Sequence, residues 1–418
     1  MVNKTILDNG IRVVSEKIPS VHSVSIGIWV TSGSRHESLE VNGVTHFIEH
    51  LMFKGTQKRS SLDIARQIDA VGGVLNAFTG REYVCYYAKV LSTHLDMAVD
   101  LLADIFLNSK FDSDEIEKER KVILQEINML EDTPDDFIHD LYCQNFWKEH
   151  PLGRPIVGTE ASVESLTRDF LLAHKSGTYC ADNIIIAAAG NVEHEALIRL
   201  VANLFETLGP CKSKETTNQP SHGNGVLHCE KDLEQLHLCL GTRALPQNHI
   251  RRYESYILNA VLGGSMSSRL FQEVREKQGL AYSIYSYIAS HSDSGSLVVY
   301  AGTGQERMDE VIEIILREMR RLKVDPLTAE ELSSAKEQLK GNILLSLESS
   351  DNRMSKLAKN EVYFGRYQSL KDIMSGFDLV TADSVQELSC ELFSESSLNL
   401  VLLGKPGLTL PSASSLAI

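Results

Sequence analysis

The sequence predicts an α+β protein made of two homologous halves, each an antiparallel sheet with helices packed mainly on one face. Three observations lead to this prediction. Two segments alternate apolar and polar side chains, as half-buried strands do. A pattern of residue pairs occurs twice, 213 residues apart, and a polar, turn-rich segment separates the two copies. Because a half-apolar sheet must bury that face against other elements, each copy should form its own α+β unit.

The strands and helices of the two copies can be matched in order. The half-buried strands are Val24–Val30 and Leu236–Leu240. The recurring pairs are Tyr87-Ala88 with Leu95-Asp96 and, later in the chain, Tyr300-Ala301 with Met308-Asp309. Each set leads into an amphipathic helix, predicted at Ala98–Phe106 and at Val311–Met319.

The domain boundaries follow from this match. Residues 212–225 read KSKETTNQPSHGNG, a composition typical of a linker. We therefore expect a first half at residues 1–211 and a second, structurally similar half at residues 226–418.

Composition and charge are those of a soluble globular enzyme. Of the 418 residues, 43% are apolar and 23% are charged. The formal net charge of −15 argues against nucleic acid as a partner and favours basic peptides. No run of residues is apolar and long enough to span a bilayer, and residues 1–10 contain neither the apolar core of a secretory signal nor an Arg-rich presequence.

The pattern of cysteines indicates the cellular compartment in which the protein works. There are seven, an odd number without paired spacing, so unpaired thiols are expected. This favours a bacterial cytoplasm, with a mature form in an organelle matrix as the alternative. The cysteines are Cys85, Cys143, Cys180, Cys211, Cys229, Cys239 and Cys390.

The segment from His46 to His50 carries the clearest chemical signal. It reads H-x-x-E-H within an amphipathic stretch. Residues four apart on an α-helix differ by about 40° around the axis, so His46 and His50 project side by side and can bind one metal ion. Glu49 lies at the same edge, where a carboxylate can serve as the general base of a metallopeptidase. The alternative is that these residues merely share a helix.

A third ligand is predicted on a helix at residues 114–131. Glu119 and Glu126 are seven residues apart, two helical turns, and so share one face. Two histidines, one carboxylate and an open water position form a common catalytic zinc set. Glu126 is therefore the expected ligand, with Glu119 orienting or tuning the site from behind. The alternative is that both are solvated glutamates on a charged helix.

The spacing of these residues resembles a known family. His46-x-x-Glu49-His50, followed by Glu126 76 residues after His50, is similar to the pitrilysin/insulinase group of inverzincin peptidases. Within that group the chain most resembles the short-chain, mitochondrial-processing-peptidase-like subfamily of bacterial type. Further similar stretches are residues 33–37, 51–56, 76–79, 150–156 and 190–192.

The resemblance covers nearly the whole chain and implies the same duplicated α+β architecture. It implies a zinc endopeptidase with one Zn²⁺ per chain, held by His46, His50 and Glu126. Glu49 would then activate water and return its proton to the departing amine. In the second half, a position near Asn342 matches Glu126, and no histidine lies at residues 255–259, so that half has lost the metal site.

The resemblance also implies residues that bind substrate. Arg275 and Tyr282 are seven apart, like the family's Arg/Tyr pair that holds the peptide backbone and the tetrahedral intermediate. Asn76, Ala77 and Phe78 lie in a stretch that resembles the family's substrate-pairing edge strand. From the residues alone, Arg275 and Tyr282 would be read as a surface arginine and a half-buried aromatic residue.

The resemblance also implies expectations about cleavage specificity and about assembly. Asp136 and Asp140 lie where processing peptidases carry acidic residues that bind an arginine two residues before the cut; an ordinary solvated helix start is the alternative. Because the chain carries both the zinc set and the Arg/Tyr pair, a homodimer enclosing a chamber is favoured. The competing class is a non-catalytic core subunit of the same fold.

Overall fold

The computed structural model describes residues 1–211, 218–394, 397–411, 416 and 418. Residues 212–217 of the predicted linker lie outside the described residues. Its remaining residues carry no regular structure up to Asn224, and a strand begins at Gly225.

The first sheet contains six strands in the order β1-β2-β6-β3-β5-β4. These strands are β1 (Val2–Ile6), β2 (Arg12–Lys17), β3 (Ser23–Val30), β4 (Val74–Thr79), β5 (Val84–Leu91) and β6 (Ile184–Gly190). The second sheet contains five strands in the order β7-β11-β8-β10-β9. These are β7 (Gly225–Glu230), β8 (Leu236–Arg243), β9 (Ala281–Ser290), β10 (Gly295–Thr303) and β11 (Asn399–Gly404).

The helices also fall into two series. Those of the first half are α1 (Val44–Met52), α2 (Ser61–Asp69), α3 (Leu95–Asn108), α4 (Ser113–Glu131), α5 (Pro134–Phe146), α6 (Glu160–Ser165), α7 (Arg168–Thr178) and α8 (His194–Leu204). Those of the second half are α9 (Arg252–Leu262), α10 (Met308–Val324), α11 (Ala329–Ser346), α12 (Ser350–Phe364), α13 (Leu370–Asp378) and α14 (Ala382–Leu392).

The predicted fold class, α+β with two homologous halves, is confirmed. The strand order β2-β6-β3-β5-β4 recurs as β7-β11-β8-β10-β9. Both sheets are mainly antiparallel, and each contains one parallel pair at the equivalent place, β2 with β6 and β7 with β11. The helices that follow β5 and β10, α3 and α10, include the two helical segments predicted from the repeat.

Two compact units make up the chain. The first comprises Met1–Met129, Arg154–Thr217 and Ser346–Tyr367. The second comprises Leu130–Gly153, Asn218–Leu345 and Gln368–Ile418. Each unit therefore takes one helical segment from the other half of the sequence: α12 belongs to the first unit and α5 to the second.

Each unit buries both faces of its sheet. In the first unit, one face packs with α1 and α3 in the main core, and the other face meets α12 through residues such as Trp29, Met354 and Leu357. In the second unit, one face lies in the main core with α10, and α5 covers the other face through Tyr142 and Phe146. This double burial explains why several strands are apolar throughout rather than alternating.

The expectation of unpaired thiols is wrong for two cysteines. Cys180 and Cys211 form a disulfide with their Cα atoms 5.2 Å apart. Cys180 follows α7, and the chain after α8 returns to the same place, where the Ala181 amide donates to the Gly209 carbonyl at 2.9 Å. The pairing depends on this return of the chain across 31 residues, which cysteine spacing alone does not reveal.

Among the described residues, no helix combines the length and apolar character that a bilayer crossing would need.

Candidate metal centre

Helix α1 presents the histidines from the edge of the core. Its apolar residues are buried against the first sheet and neighbouring helices; they are Val44, Phe47, Ile48, Leu51 and Met52. This apolar stripe fixes the rotation of the helix, so His46, Glu49 and His50 fall on the remaining face. His46 is buried, with 8% of its surface exposed, whereas Glu49 and His50 are partly exposed.

A buried carboxylate anchors the start of this helix. Glu37 accepts hydrogen bonds from the Thr45 amide at 2.9 Å and from the Gly43 amide at 2.8 Å. The Asn42 amide group donates to it at 3.0 Å. An anion that accepts from the first amides of a helix satisfies donors that have no partner within the helix. Gly43 has φ of +89°, and a side chain there would come within 2.7 Å of the Val157 carbonyl.

His46, His50 and Glu126 converge on one point. Nε2 of His46 lies 3.8 Å from Oε1 of Glu126, and Nε2 of His50 lies 3.6 Å from Oε2 of the same carboxylate. One ligand atom from each residue falls within 4.8 Å of the others. A tetrahedral zinc ion bound at 2.0–2.2 Å holds its ligands about 3.4 Å apart. The donor types and their separations therefore fit a zinc ion.

The environment of His46 favours the form of imidazole that binds metals. Burial, with a smaller effect from His50, lowers the pKa of His46 to about 3, so its ring is neutral at pH 7. A neutral imidazole has one nitrogen with a free lone pair, as a metal ligand requires. Nδ1 of His46 is buried and has no hydrogen-bond partner among the described residues.

Glu119 holds the second histidine in position. Its Oε2 lies 3.1 Å from Nδ1 of His50, and its Oε1 lies 2.7 Å from Nζ of Lys54. A carboxylate paired with lysine can only accept, so Nδ1 of His50 carries the proton. Nε2 of His50, which faces Glu126, is then left with its lone pair. A carboxylate behind a histidine ligand fixes the ring in this way in many metal sites.

Glu49 lies beside the three ligands and is held by the neighbouring sheet. The hydroxyl of Thr79, the last residue of β4, donates to Oε2 of Glu49. Burial raises the pKa of Glu49, the Thr79 hydrogen bond and His50 lower it, and Glu126 raises it. A carboxylate whose pKa lies above its usual range is suited to accept and return a proton near neutral pH.

Comparison with known proteins agrees with this geometry. Residues 12–160 match the family described as insulinase (peptidase family M16). Residues 165–339 match the family described as the peptidase M16 inactive domain. The chain belongs to peptidase family M16. The resemblance to the insulinase group that the sequence indicated is therefore confirmed.

Relatives of the family support the assignment over the full length. The chain is 44% identical to the uncharacterized zinc protease YmxG of Bacillus subtilis, covering 94% of this chain and 96% of that protein. It is 37% identical to an uncharacterized zinc protease of Rickettsia felis, covering 95% and 96% of the two chains. The crystal structure of a protease from Helicobacter pylori has the same fold, with a TM-score of 0.90, 23% identity and coverage of 97% and 99%.

The M16 chain presents one free sheet edge next to Glu49. Strand β4 is paired on one side with β5, and no other strand of the described residues pairs with its second side. Asn76 and Phe78 are exposed, whereas Ala77 and Thr79 on the opposite face are partly buried. The backbone groups of β4 are therefore open to pairing with an extended chain.

Arg275 and Tyr282 of the second unit contact each other. The Arg275 guanidinium lies 4.9 Å from the centre of the Tyr282 ring and 4.8 Å from that of Phe271. Arg275 lies in a π-helix at Phe271–Lys277, a local structure that is frequent at functional sites. The ladder between β9 and β10 shifts register at Tyr282, which is 78% exposed. This bulge turns the ring outward.

Asp136 and Asp140 both lie on α5, one turn apart, within the second unit. Asp136 is exposed in the first turn of the helix and Asp140 is partly buried. The spacing puts the two carboxylates on one face of this helix.

Three contacts in the first unit were not predicted from the sequence. Lys54 pairs with Glu119, Thr79 donates to Glu49, and Glu37 anchors α1. Lys54 lies four residues after His50, about one helical turn, and this spacing could have indicated that Lys54 and His50 contact the same carboxylate. Thr79 ends the predicted edge strand, but its contact with Glu49 depends on how the strand packs against α1.

Proposed function

We propose that this chain is a zinc-dependent endopeptidase that cleaves extended peptides. The convergence of His46, His50 and Glu126, with Glu49 beside them, carries the proposal. The names of the relatives, which are zinc proteases of the same family, support it. In this proposal residues 1–211 form the catalytic half and residues 226–418 the half that assists with substrate.

His46, His50 and Glu126 would hold one zinc ion per chain. Zinc bound by such a set acts as a Lewis acid and brings the pKa of a bound water near neutrality. Glu119 keeps the His50 ring oriented so that Nε2 faces Glu126, and Lys54 keeps the Glu119 carboxylate in place.

Glu49 is the general base and acid. It accepts a proton as water adds to the scissile carbonyl carbon, and it gives that proton to the amine nitrogen as the C–N bond breaks. The Thr79 hydroxyl fixes the position of the carboxylate. Arg275 and Tyr282 hold the peptide backbone and stabilise the oxyanion of the tetrahedral intermediate.

The substrate pairs with β4 as an additional antiparallel or parallel strand. Main-chain hydrogen bonds to residues such as Asn76, Ala77 and Phe78 would bind many sequences, because they do not read side chains. Thr79 links this binding strand directly to the base, so a peptide on β4 lies next to Glu49.

A preference for arginine two residues before the cut is part of the proposal. Asp136 and Asp140 would bind its guanidinium through charge-assisted hydrogen bonds. Cleavage of a peptide library, mapped by mass spectrometry, tests this. The wild type should prefer arginine at that position, and a double change of Asp136→Asn with Asp140→Asn should remove the preference. Equal site preferences in both proteins would rule out the subsite.

Two chains form the working chamber in this proposal, since each carries a complete zinc set and its own Arg/Tyr pair. Light scattering of the active protein tests the assembly. A dimer is expected, and full activity of a protein that runs as a monomer would contradict it.

The decisive experiment concerns Glu49. Glu49→Gln removes the base without removing a ligand, so the variant should keep one zinc per chain and lose peptide cleavage by about a thousandfold. Glu206→Gln, a change at an exposed glutamate, is the matched control and should behave as wild type. A wild-type protein that binds no zinc and cleaves no peptide would instead favour the non-catalytic core subunit.

A further inference from the structure

A cavity of about 360 Å³ lies in the first unit, apart from the residues assigned to peptide cleavage. Its walls come from the end of α3, from α7 and from the segment after α8, and they are mostly apolar. They include Phe106, Leu172, Tyr179 and Leu208. The cavity is within the size range of sites that bind small molecules.

The wall of this cavity is held in place covalently. Cys180 lines it and is bonded to Cys211, and Gly209, which also lines it, accepts a hydrogen bond from the Ala181 amide. The segment after α8 is therefore tied to the end of α7. A preformed wall lowers the entropic cost of binding a ligand.

One cationic side chain, Lys175, lines the cavity. Among the described residues, no carboxylate or carbonyl group pairs with Nζ of Lys175. The ammonium group lies over the Phe111 ring, 5.8 Å from its centre. Burial lowers the pKa of Lys175 to about 8, and no neighbouring charge opposes that effect. A partly buried ammonium group without an anion is costly, so its presence calls for an anionic partner.

The ring under Lys175 is held by an unusual backbone. Phe111 is buried and has φ of +52°, a left-handed conformation that bulky residues rarely adopt. Nε of Arg168 donates to the Phe111 carbonyl at 2.7 Å. Arg168 and Lys175 both lie on α7, so the same helix stabilises the strained residue and places the amine beside it.

We propose that this cavity binds an apolar carboxylate, whose anionic group pairs with Lys175 and whose hydrocarbon body fills the pocket. Charge complementarity supplies the polar contact, because the carboxylate provides the counter-ion that Lys175 lacks among the described residues. The apolar walls supply the remaining affinity. The proposal does not depend on the peptidase activity, since no residue of the zinc set lines the cavity.

Binding of decanoate, followed by titration calorimetry on the intact protein, is the direct test. Decanoate should bind with one site per chain, and 1-decanol, which has the same hydrocarbon body without the charge, should bind about tenfold more weakly or worse. Lys175→Met should weaken decanoate binding by a similar factor. Lys110→Met changes an exposed lysine near the same helix and should bind as wild type.

A second variant tests the cavity without touching the amine. A Cβ atom at Gly209, which lines the cavity, would meet nothing within 4 Å, so Gly209→Leu can add a side chain at the cavity wall and should weaken binding. Lys175→Gln replaces Lys175→Met if the latter does not fold. Failure of decanoate to bind the wild type, equal binding of decanol, or unchanged binding by the folded Lys175 variant would each overturn the proposal.

The carboxylate could belong to a fatty acid or to the C-terminus of an apolar peptide. An acetylated trileucine with a free C-terminus, compared with its amide, separates these sources when tested on the Glu49→Gln variant, which would leave it intact. Tighter binding of decanoate than of the free acid peptide identifies a lipid-derived ligand. The reverse order identifies a peptide terminus.

Discussion

Glu119 lies 3.1 Å from Nδ1 of His50, on the side of the ring opposite the nitrogen that faces Glu126. The same carboxylate pairs with Lys54 at 2.7 Å. Lys54, Glu119 and His50 thus form a continuous chain of contacts that ends at the candidate zinc position. Because these contacts are continuous, a change at Lys54, which is not a ligand, can affect metal binding.

Replacing Lys54 by methionine should weaken zinc binding. The aliphatic part of the side chain is kept, but Glu119 loses the charge that holds it toward His50. We expect zinc affinity to fall by about tenfold, the lower end of the effect seen when such outer partners are removed. Competition with a chromophoric chelator measures this affinity directly.

Two further variants separate this effect from a general loss of charge. Lys54→Arg should retain most of the affinity, and Lys58→Met, a change at an exposed lysine nearby, should leave it unchanged. Unaltered zinc affinity in Lys54→Met, together with a clear loss in Glu119→Gln, would show that Lys54 plays no part.

Thr79 should set the acid side of the pH profile. Its hydroxyl donates to Glu49 and lowers the pKa of that carboxyl, because the hydrogen bond favours the ionised form. In Thr79→Val the pKa of Glu49 should rise, so the base becomes protonated at higher pH. The acid limb of kcat/KM should move upward by about one pH unit.

The position of that limb is read from peptide cleavage rates over pH 4 to 8. Thr79→Ser keeps a hydroxyl and should restore the wild-type profile. A limb that stays in place or moves to lower pH in Thr79→Val would exclude this role for the hydrogen bond.

Glu37 should be a major contributor to stability of the first unit. Glutamine in its place has one acceptor oxygen, and its amide group would face the Gly43 or Thr45 amide, donor against donor. Glu37→Gln should therefore lower the free energy of unfolding by about 2–3 kcal/mol, even though it also removes a buried charge. Urea titration followed by far-ultraviolet circular dichroism measures the change.

Glu40 provides the matched comparison for that experiment, because it lies three residues away and is exposed. Glu40→Gln should change stability by no more than about 0.5 kcal/mol. A Glu37→Gln variant as stable as the Glu40→Gln variant would contradict the anchoring role.

Much of the fold and the zinc set could be predicted because both leave periodic signals. Helical geometry places His46 beside His50 and Glu119 on the same face as Glu126, and the matched strands alternate visibly. The expectation that the two helices meet at one zinc ion came from the donor set and the family resemblance. The contacts of Lys54 and Thr79, and the disulfide of Cys180, join elements that are distant in sequence. Their existence depends on how helices and strands pack, which a single sequence does not specify.

The assignment of α5 to the second unit and of α12 to the first also depends on packing between elements that are distant in sequence. The pattern of apolar residues in a helix does not say which sheet that helix covers. The outer faces of the sheets are apolar at Trp29 and Cys85 in the first unit and at Cys239 and Val298 in the second. The outer face of either sheet could pack against an apolar helix. Chain connectivity and packing, rather than local sequence, therefore decide which helix covers which sheet.

His174 should make the protein lose stability in acid. Its Nε2 lies 3.4 Å from the Thr45 hydroxyl, and burial, with a smaller effect from His36, lowers its pKa to about 4. Between about pH 6.5 and pH 4 the unfolded chain binds a proton at this residue and the folded chain does not, so stability falls as the pH decreases through that window.

His174→Gln removes this contribution. The free energy of unfolding lost between pH 7 and pH 4 should then be smaller than in wild type by up to about 3 kcal/mol. Urea titrations of both proteins at the two pH values, in matched buffers, give the comparison. An equal or larger acid-induced loss in His174→Gln would show that protonation of other groups governs the acid response.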